Sequence, residues 1–165
     1  MDIASDILPF FKQAGWNPSR KITLPTKILN LLPNNHPAFQ ILTQLSGLKV
    51  GHVGEGEQCA TSDIAFGFIE DEDEQISLWN NVLKTKLIGV AEFCRQHSEL
   101  YVDSTGRFFS HHLRDTFCFE GDSFDCAMRN LLFGRRCRPM LLPDQESVMV
   151  YGNILTADSP EVYKY

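Results

Sequence analysis

The run ELYVDSTGRFFSHHL, residues 99–113, and the run GDSFDCAMRNLLFG, residues 121–134, decide the fold class of this chain. Asp103, Ser104, Thr105 and Gly106 are turn formers: the acid and hydroxyl side chains bond nearby backbone, and Gly106 is free to take a positive φ. With 99–102 and 107–113 on either side, rich in aromatic and β-branched residues, they predict a hairpin. In the second run Asp122 or Ser123 caps a helix and Asp125 supplies first-turn acid. Phe124, Ala127, Met128, Leu131 and Leu132 make the inward stripe, and Gly134 ends it. A hairpin followed by an amphipathic helix indicates an α+β chain.

The pattern extends outward from there. From Glu74 to Lys86, Ile76, Trp79, Val82 and Leu83 share a helical face, with acids before it and Lys84 and Lys86 at its end, the charge order that suits a helix dipole. Leu48–Val53, Ile64–Ile69 and Leu87–Phe93 read as strands. Nearer the N-terminus, Ile3, Ile7, Phe10, Phe11 and Ala14 recur at helical spacing, with Ser5 or Asp6 as the expected cap and Gly15 as the stop. Pro25, Pro33 and Pro37 punctuate two further short helices, 26–32 and 38–45. After Gly134 come Arg135, Arg136 and Arg138, partly explained as cations at a helix C-terminus, then one strand at Ser147–Tyr151 and a loosely ordered end.

A length of 165 residues with 43% hydrophobic and 11% aromatic content suits one folded domain, 1–165. Apolar runs are broken within a few residues, far short of the roughly 18 that a membrane-spanning helix needs. No basic and apolar leader is recognisable at Asp2–Asp6, so the expected location is cytoplasmic, with no membrane partner. Cys59, Cys94, Cys118, Cys126 and Cys137 are odd in number and contain no C-x-x-C pair, which indicates reduced thiols rather than a disulfide framework.

The net charge is −6. Its concentration matters more: Glu55, Glu57, Asp63, Glu70, Asp71, Glu72, Asp73 and Glu74 lie between Gly51 and Leu83, where there is no Lys or Arg. That segment repels phosphate backbones, so direct nucleic-acid binding is not expected, and it attracts basic protein surfaces. Acids just before Ile76 also stabilise a helix N-terminus, which accounts for about half of them without a partner. Glu55, Glu57 and Asp63 are not covered by that account, and all eight are candidate partner-binding residues.

Catalytic patterns are missing. The chain has no G-x-G-x-x-G, G-x-x-x-x-G-K-S/T, G-x-S-x-G or H-E-x-x-H, and the glycine-rich stretch 51–56 has neither lysine nor a following helix signal. His111 and His112 are neighbours on a strand and point to opposite faces; Cys94 and His97 are only two ligands. No metal, cofactor or catalytic residue is therefore expected. A thiol hydrolase using Cys94 with a distant histidine is the enzymatic alternative, with no specific sequence support.

Residues 14–20, AGWNPSR, and 45–48, LSGL, resemble the opening of the SUKH superfamily's third immunity-protein subfamily. In order, Ile88 and Gly89, then Val102–Arg107, then Gly121–Gly134 continue the likeness over about 7–134, leaving 135–165 as a C-terminal extension. Leu87 and Val90 stand where the family often has proline and glutamate. The resemblance implies a curved, mainly antiparallel sheet packed by N-terminal, central and C-terminal helices, with no catalytic residues to carry over. It also implies an immunity protein that binds a cognate polymorphic toxin. The resemblance further implies that the toxin is a nuclease or deaminase, and the acidic charge adds the expectation that it is basic. A regulatory adaptor with endogenous partners, of the kind linked to cell-wall synthesis, is the alternative.

Overall fold

The computed structural model describes residues 1–70, 74–113 and 116–165. Its helices are α1 (Leu8–Gln13), α2 (Thr26–Leu31), α3 (Pro37–Leu45), α4 (Glu74–Leu83) and α5 (Phe124–Phe133). Strands β1 (Lys49–Gly54), β2 (Thr61–Ile69), β3 (Ile88–Phe93), β4 (Ser98–Val102), β5 (Phe108–His112), β6 (Thr116–Gly121) and β7 (Arg138–Met140) form one sheet in sequential order. Every neighbouring pair is antiparallel, and the sheet is not closed into a barrel. Strands β8 (Ser147–Val150) and β9 (Asn153–Thr156) make a separate hairpin. The fold is α+β, as the hairpin and helix patterns imply. No helix among the described residues is long and apolar enough to cross a membrane.

Register shifts in the β1/β2, β2/β3, β3/β4 and β5/β6 pairs supply the curvature, since each bulge bends its strand and raises the local twist. The sheet buries both faces. On one, Phe11, Trp16, Leu42, Leu45, Ile64, Leu100, Val102, Met128 and Leu131 join α1, α3 and α5 to the strands. On the other, Ile76 and Trp79 of α4 pack against Tyr101, Phe109, Phe117 and Phe119, with Trp79 stacked on Phe117 at 4.6 Å between ring centroids. Alternation along β5 and β6 therefore sends aromatic residues to the α4 side.

Helix ends follow from side-chain chemistry. His36 caps α3, its Nδ1 accepting from the Ala38 amide at 3.2 Å, with Pro37 in the first turn. Ser123 caps α5 by accepting from the Cys126 amide at 3.3 Å, and Gly134 closes it with φ of +65°. At α1 the expected cap fails: Ile7 occupies that position and no side chain bonds the free amides. Asp6 instead accepts from Arg129 on α5 at 2.6 and 2.9 Å, a two-pronged charged pair that outcompetes a neutral capping bond.

The larger corrections lie late in the chain. Strands β6, β7 and β9 had no clear sequence pattern, and the end is not loose. Val162 is buried, Tyr163 stacks on Phe119 at 3.9 Å, and the Tyr165 hydroxyl donates to the Leu141 carbonyl at 2.7 Å. The arginines after α5 fasten this segment rather than serving the helix dipole alone. The Arg136 guanidinium lies over the Tyr151 ring and that of Arg138 over Tyr163, and Arg138 also donates to the Val162 carbonyl at 3.0 Å.

Candidate functional site

The acidic residues occupy separate ends of β2. The loop 55–60 between β1 and β2 docks on the end of α5, where the amides of Glu57, Gln58 and Cys59 donate to the Phe133 and Gly134 carbonyls at 2.8 to 2.9 Å. Those carbonyls are the ones a helix C-terminus leaves unpaired. The glycine-rich stretch is thus a cap rather than a free turn, and Gly56 abuts Gly134 so closely that a Cβ on either would meet the other's Cα. Glu55 is exposed on this loop, while Glu57 takes both prongs of Arg135 at 2.8 and 3.1 Å. The Arg135 hydrogen bond holds the Glu57 carboxyl below its ordinary range.

Asp63, the third residue of β2, accepts from the Arg95 amide at 2.8 Å. At the far end, a strand length of about 30 Å away, Glu70 pairs with Lys27 at 2.7 Å and Glu74 opens α4 exposed to solvent. Asp71, Glu72 and Asp73 lie outside the described residues. The described acids are therefore not one patch: Glu55 and Glu57 accompany the end of α5, and Glu70 and Glu74 accompany α2 and α4.

Apolar side chains stand exposed beside the second group. Leu29 and Leu31 of α2 and Phe39 of α3 are 41%, 39% and 46% accessible. Leu29 and Phe39 line a groove of about 540 Å³, and Leu31 shares a second cavity of about 280 Å³ with Glu70 and Lys86. This end of the molecule therefore combines large apolar groups with carboxylates, the composition of a protein contact surface.

A different constellation lies under α5. Register places Ser98 of β4 opposite His112 of β5, and Ser110 of β5 opposite Cys118 of β6. Since i and i+2 share a face, Ser98, Ser110, His112, Cys118 and Glu120 project together from the sheet. Ser98 Oγ lies 2.8 Å from His112 Nδ1, Ser110 Oγ lies 2.8 Å from His112 Nε2, and Ser110 donates to Glu120 at 2.6 Å. Cys137, just past α5, covers them; its Sγ and amide both lie 3.1 Å from the Tyr151 hydroxyl. A cavity of about 220 Å³ opens here, lined among others by Cys59, Cys94, His112, Glu120, Cys137 and Tyr151.

Burial dominates the electrostatics of this cluster. It pushes the Glu120 carboxyl up to about 7, against the hydrogen bonds from Ser110 and Cys137, and lowers His112 to about 4, helped by neighbouring His111. The hydrogen bond with Cys118 and then burial push the Cys137 thiol well up; burial also raises Cys59 and Cys94. None of these thiols has the electropositive setting that makes a cysteine nucleophilic.

Neither histidine pairing considered from sequence is formed. His111 points to the opposite face, 3.9 Å from Glu99. Cys94 and His97 sit in the β3/β4 turn, where Cys94, Arg95 and Gln96 all have positive φ. The cluster escaped sequence reasoning because it depends on β6, which carries Cys118 and Glu120.

Among known families, the model of the SUKH-3 immunity protein matches residues 4–134. The chain belongs to the SUKH-3 immunity protein family. No curated protein and no solved structure matches it. The SUKH-3 match ends on Gly134, the helix stop of α5, so β7, β8 and β9 lie beyond it.

Proposed function

We propose that this SUKH-3 protein works in the cytoplasm by binding a cognate polymorphic toxin, a basic nuclease or deaminase, and covering its active site without catalysis. Membership of a family of immunity proteins over 4–134 carries the reading. The net charge of −6 supports a basic partner, since opposite charge accelerates encounter. Within the acidic set Glu55, Glu57, Asp63 and 70–74, the end bearing Glu70 and Glu74 is the better contact face. Exposed Leu29, Leu31 and Phe39 adjoin it, and apolar anchors ringed by charge hold partners longest.

The test is co-expression with the product of the neighbouring open reading frame, scoring rescue from toxicity and co-purification. With the complex in hand, Glu70→Lys with Glu74→Lys lowers the association rate and flattens its salt dependence, and Phe39→Ala mainly speeds dissociation. An association rate indifferent to salt across a wide range would remove the acidic residues from the interface.

A further inference from the structure

We propose that His112, Cys118 and Cys137 form a zinc(II) site. One ligand atom from each lies within 4.8 Å of the other two, and the residues come from β5, β6 and the segment entering β7. In a tetrahedral zinc site, with bonds of about 2.3 Å to sulfur and 2.0 Å to nitrogen, ligand atoms stand roughly 3.5 to 3.8 Å apart. Side-chain adjustments of about 1 Å or less complete the geometry. The backbone at His112 and Cys118 is hydrogen-bonded sheet, Cys118 standing opposite Ser110 on one side and Pro139 on the other, and Cys137 immediately precedes β7.

The donor set selects the ion. Two thiolates and an imidazole are soft ligands that suit zinc(II) and exclude magnesium, calcium and manganese sites built of oxygen. Binding releases the two thiol protons to solvent, and the two thiolates then balance the charge of the divalent ion. A neutral assembly is what a site with Cys118 fully buried and Cys137 8% exposed tolerates. One His112 nitrogen exchanges its serine for the metal, while the other keeps its serine hydroxyl and orients the ring. His112 and Cys137 also line the cavity shared with Glu120 and Tyr151, where a fourth ligand such as water can enter. Cys137 lies beyond the family-matched residues 4–134, so the ion would tie the extension to the sheet.

The experiment uses the full chain, reduced and stripped of metal with a chelator, titrated with cobalt(II) and then zinc(II). The expected result is one cobalt per chain with thiolate-to-metal charge-transfer absorption, erased by one equivalent of zinc. Cys118→Ser, Cys137→Ser and His112→Gln should each weaken zinc binding by at least about tenfold, whereas Cys126→Ser, exposed on α5, leaves it unchanged. In the unmodified chain, zinc slows alkylation of Cys118 and Cys137 but not of Cys126, a readout independent of variant folding. The proposal is overturned by an unmodified chain with no thiolate band, by copper(I) binding with no zinc(II) binding, or by affinity that survives Cys118→Ser with Cys137→Ser.

Discussion

Gly134→Ala tests whether the loop 55–60 is a fixed cap on α5. Gly134 has φ of +65°, and an added Cβ would stand 2.8 Å from the Gly56 Cα and 3.1 Å from the Ala60 carbonyl carbon, with the Cys59 carbonyl oxygen closer still. The conformational cost of an alanine there is about 1 kcal/mol. Crowding adds to it, because the loop must lift, loosening the bonds that the Glu57, Gln58 and Cys59 amides make to the Phe133 and Gly134 carbonyls. At about 0.5 to 1.5 kcal/mol each, losing these bonds brings the total to roughly 3 to 5 kcal/mol. Gly106→Ala is the matched control: its φ of +90° is less favourable to alanine, yet nothing lies within 4 Å of the new Cβ. Urea unfolding of both variants separates strain from crowding, and equal slopes would show that only stability has changed. Gly134→Ala should lose at least about 1 kcal/mol more than Gly106→Ala. Equal losses would mean that the loop does not pack on the helix end.

Three further outcomes follow from the packing. Trp79→Ala removes a ring that is 2% exposed and stacked on Phe117, and should cost about 3 to 5 kcal/mol by thermal unfolding. The buried Asp103 carboxylate accepts from the Thr105 amide and hydroxyl and from the Arg107 amide and Nε at 2.8 to 2.9 Å. Burial raises its pKa, but these bonds prevail and leave it below the ordinary 3.8. Its stabilisation is therefore complete above pH 3.8 and is lost as pH falls through the lower folded value, so Asp103→Asn should flatten the acid limb of the stability curve and cost about 2 to 4 kcal/mol at neutral pH. Ending the chain at Gly134 would strip β7 from β6 and Tyr163 from Phe119, and light scattering should show more association than in the full chain.

The sequence was most legible where a local signal and the packing agree. The Asp103–Gly106 turn, the stripe and stop of α5, and the apolar face of α4 each rest on side chains within a few residues of one another. Strand β6 was hidden because Phe117, Cys118, Phe119 and Glu120 are all buried, so no alternation of apolar and polar residues marks it. Without β6 the grouping of His112 with Cys118 and Cys137 has no basis, since it depends on pairing across three strands. The tail misled for a related reason: Val162 packs with Leu141 and Val148 and accepts from Arg138, while Tyr163 finds its partners in Pro139 and Phe119, all back along the chain.

The pairing of the acids changes which of them can meet a partner. Glu57 is held by two bonds from Arg135, and its neighbours are fixed by the α5 cap, so exchanging Arg135 for a foreign cation would disturb a helix end. Glu70 pairs with Lys27 through side chains 54% and 71% exposed, and such surface pairs contribute at most about 1 kcal/mol. An incoming arginine that forms two parallel bonds to Glu70 can displace a single ammonium at little cost. The two ends of β2 thus carry like charge but unlike freedom, and it is the exchangeable end that lies beside the exposed apolar groups.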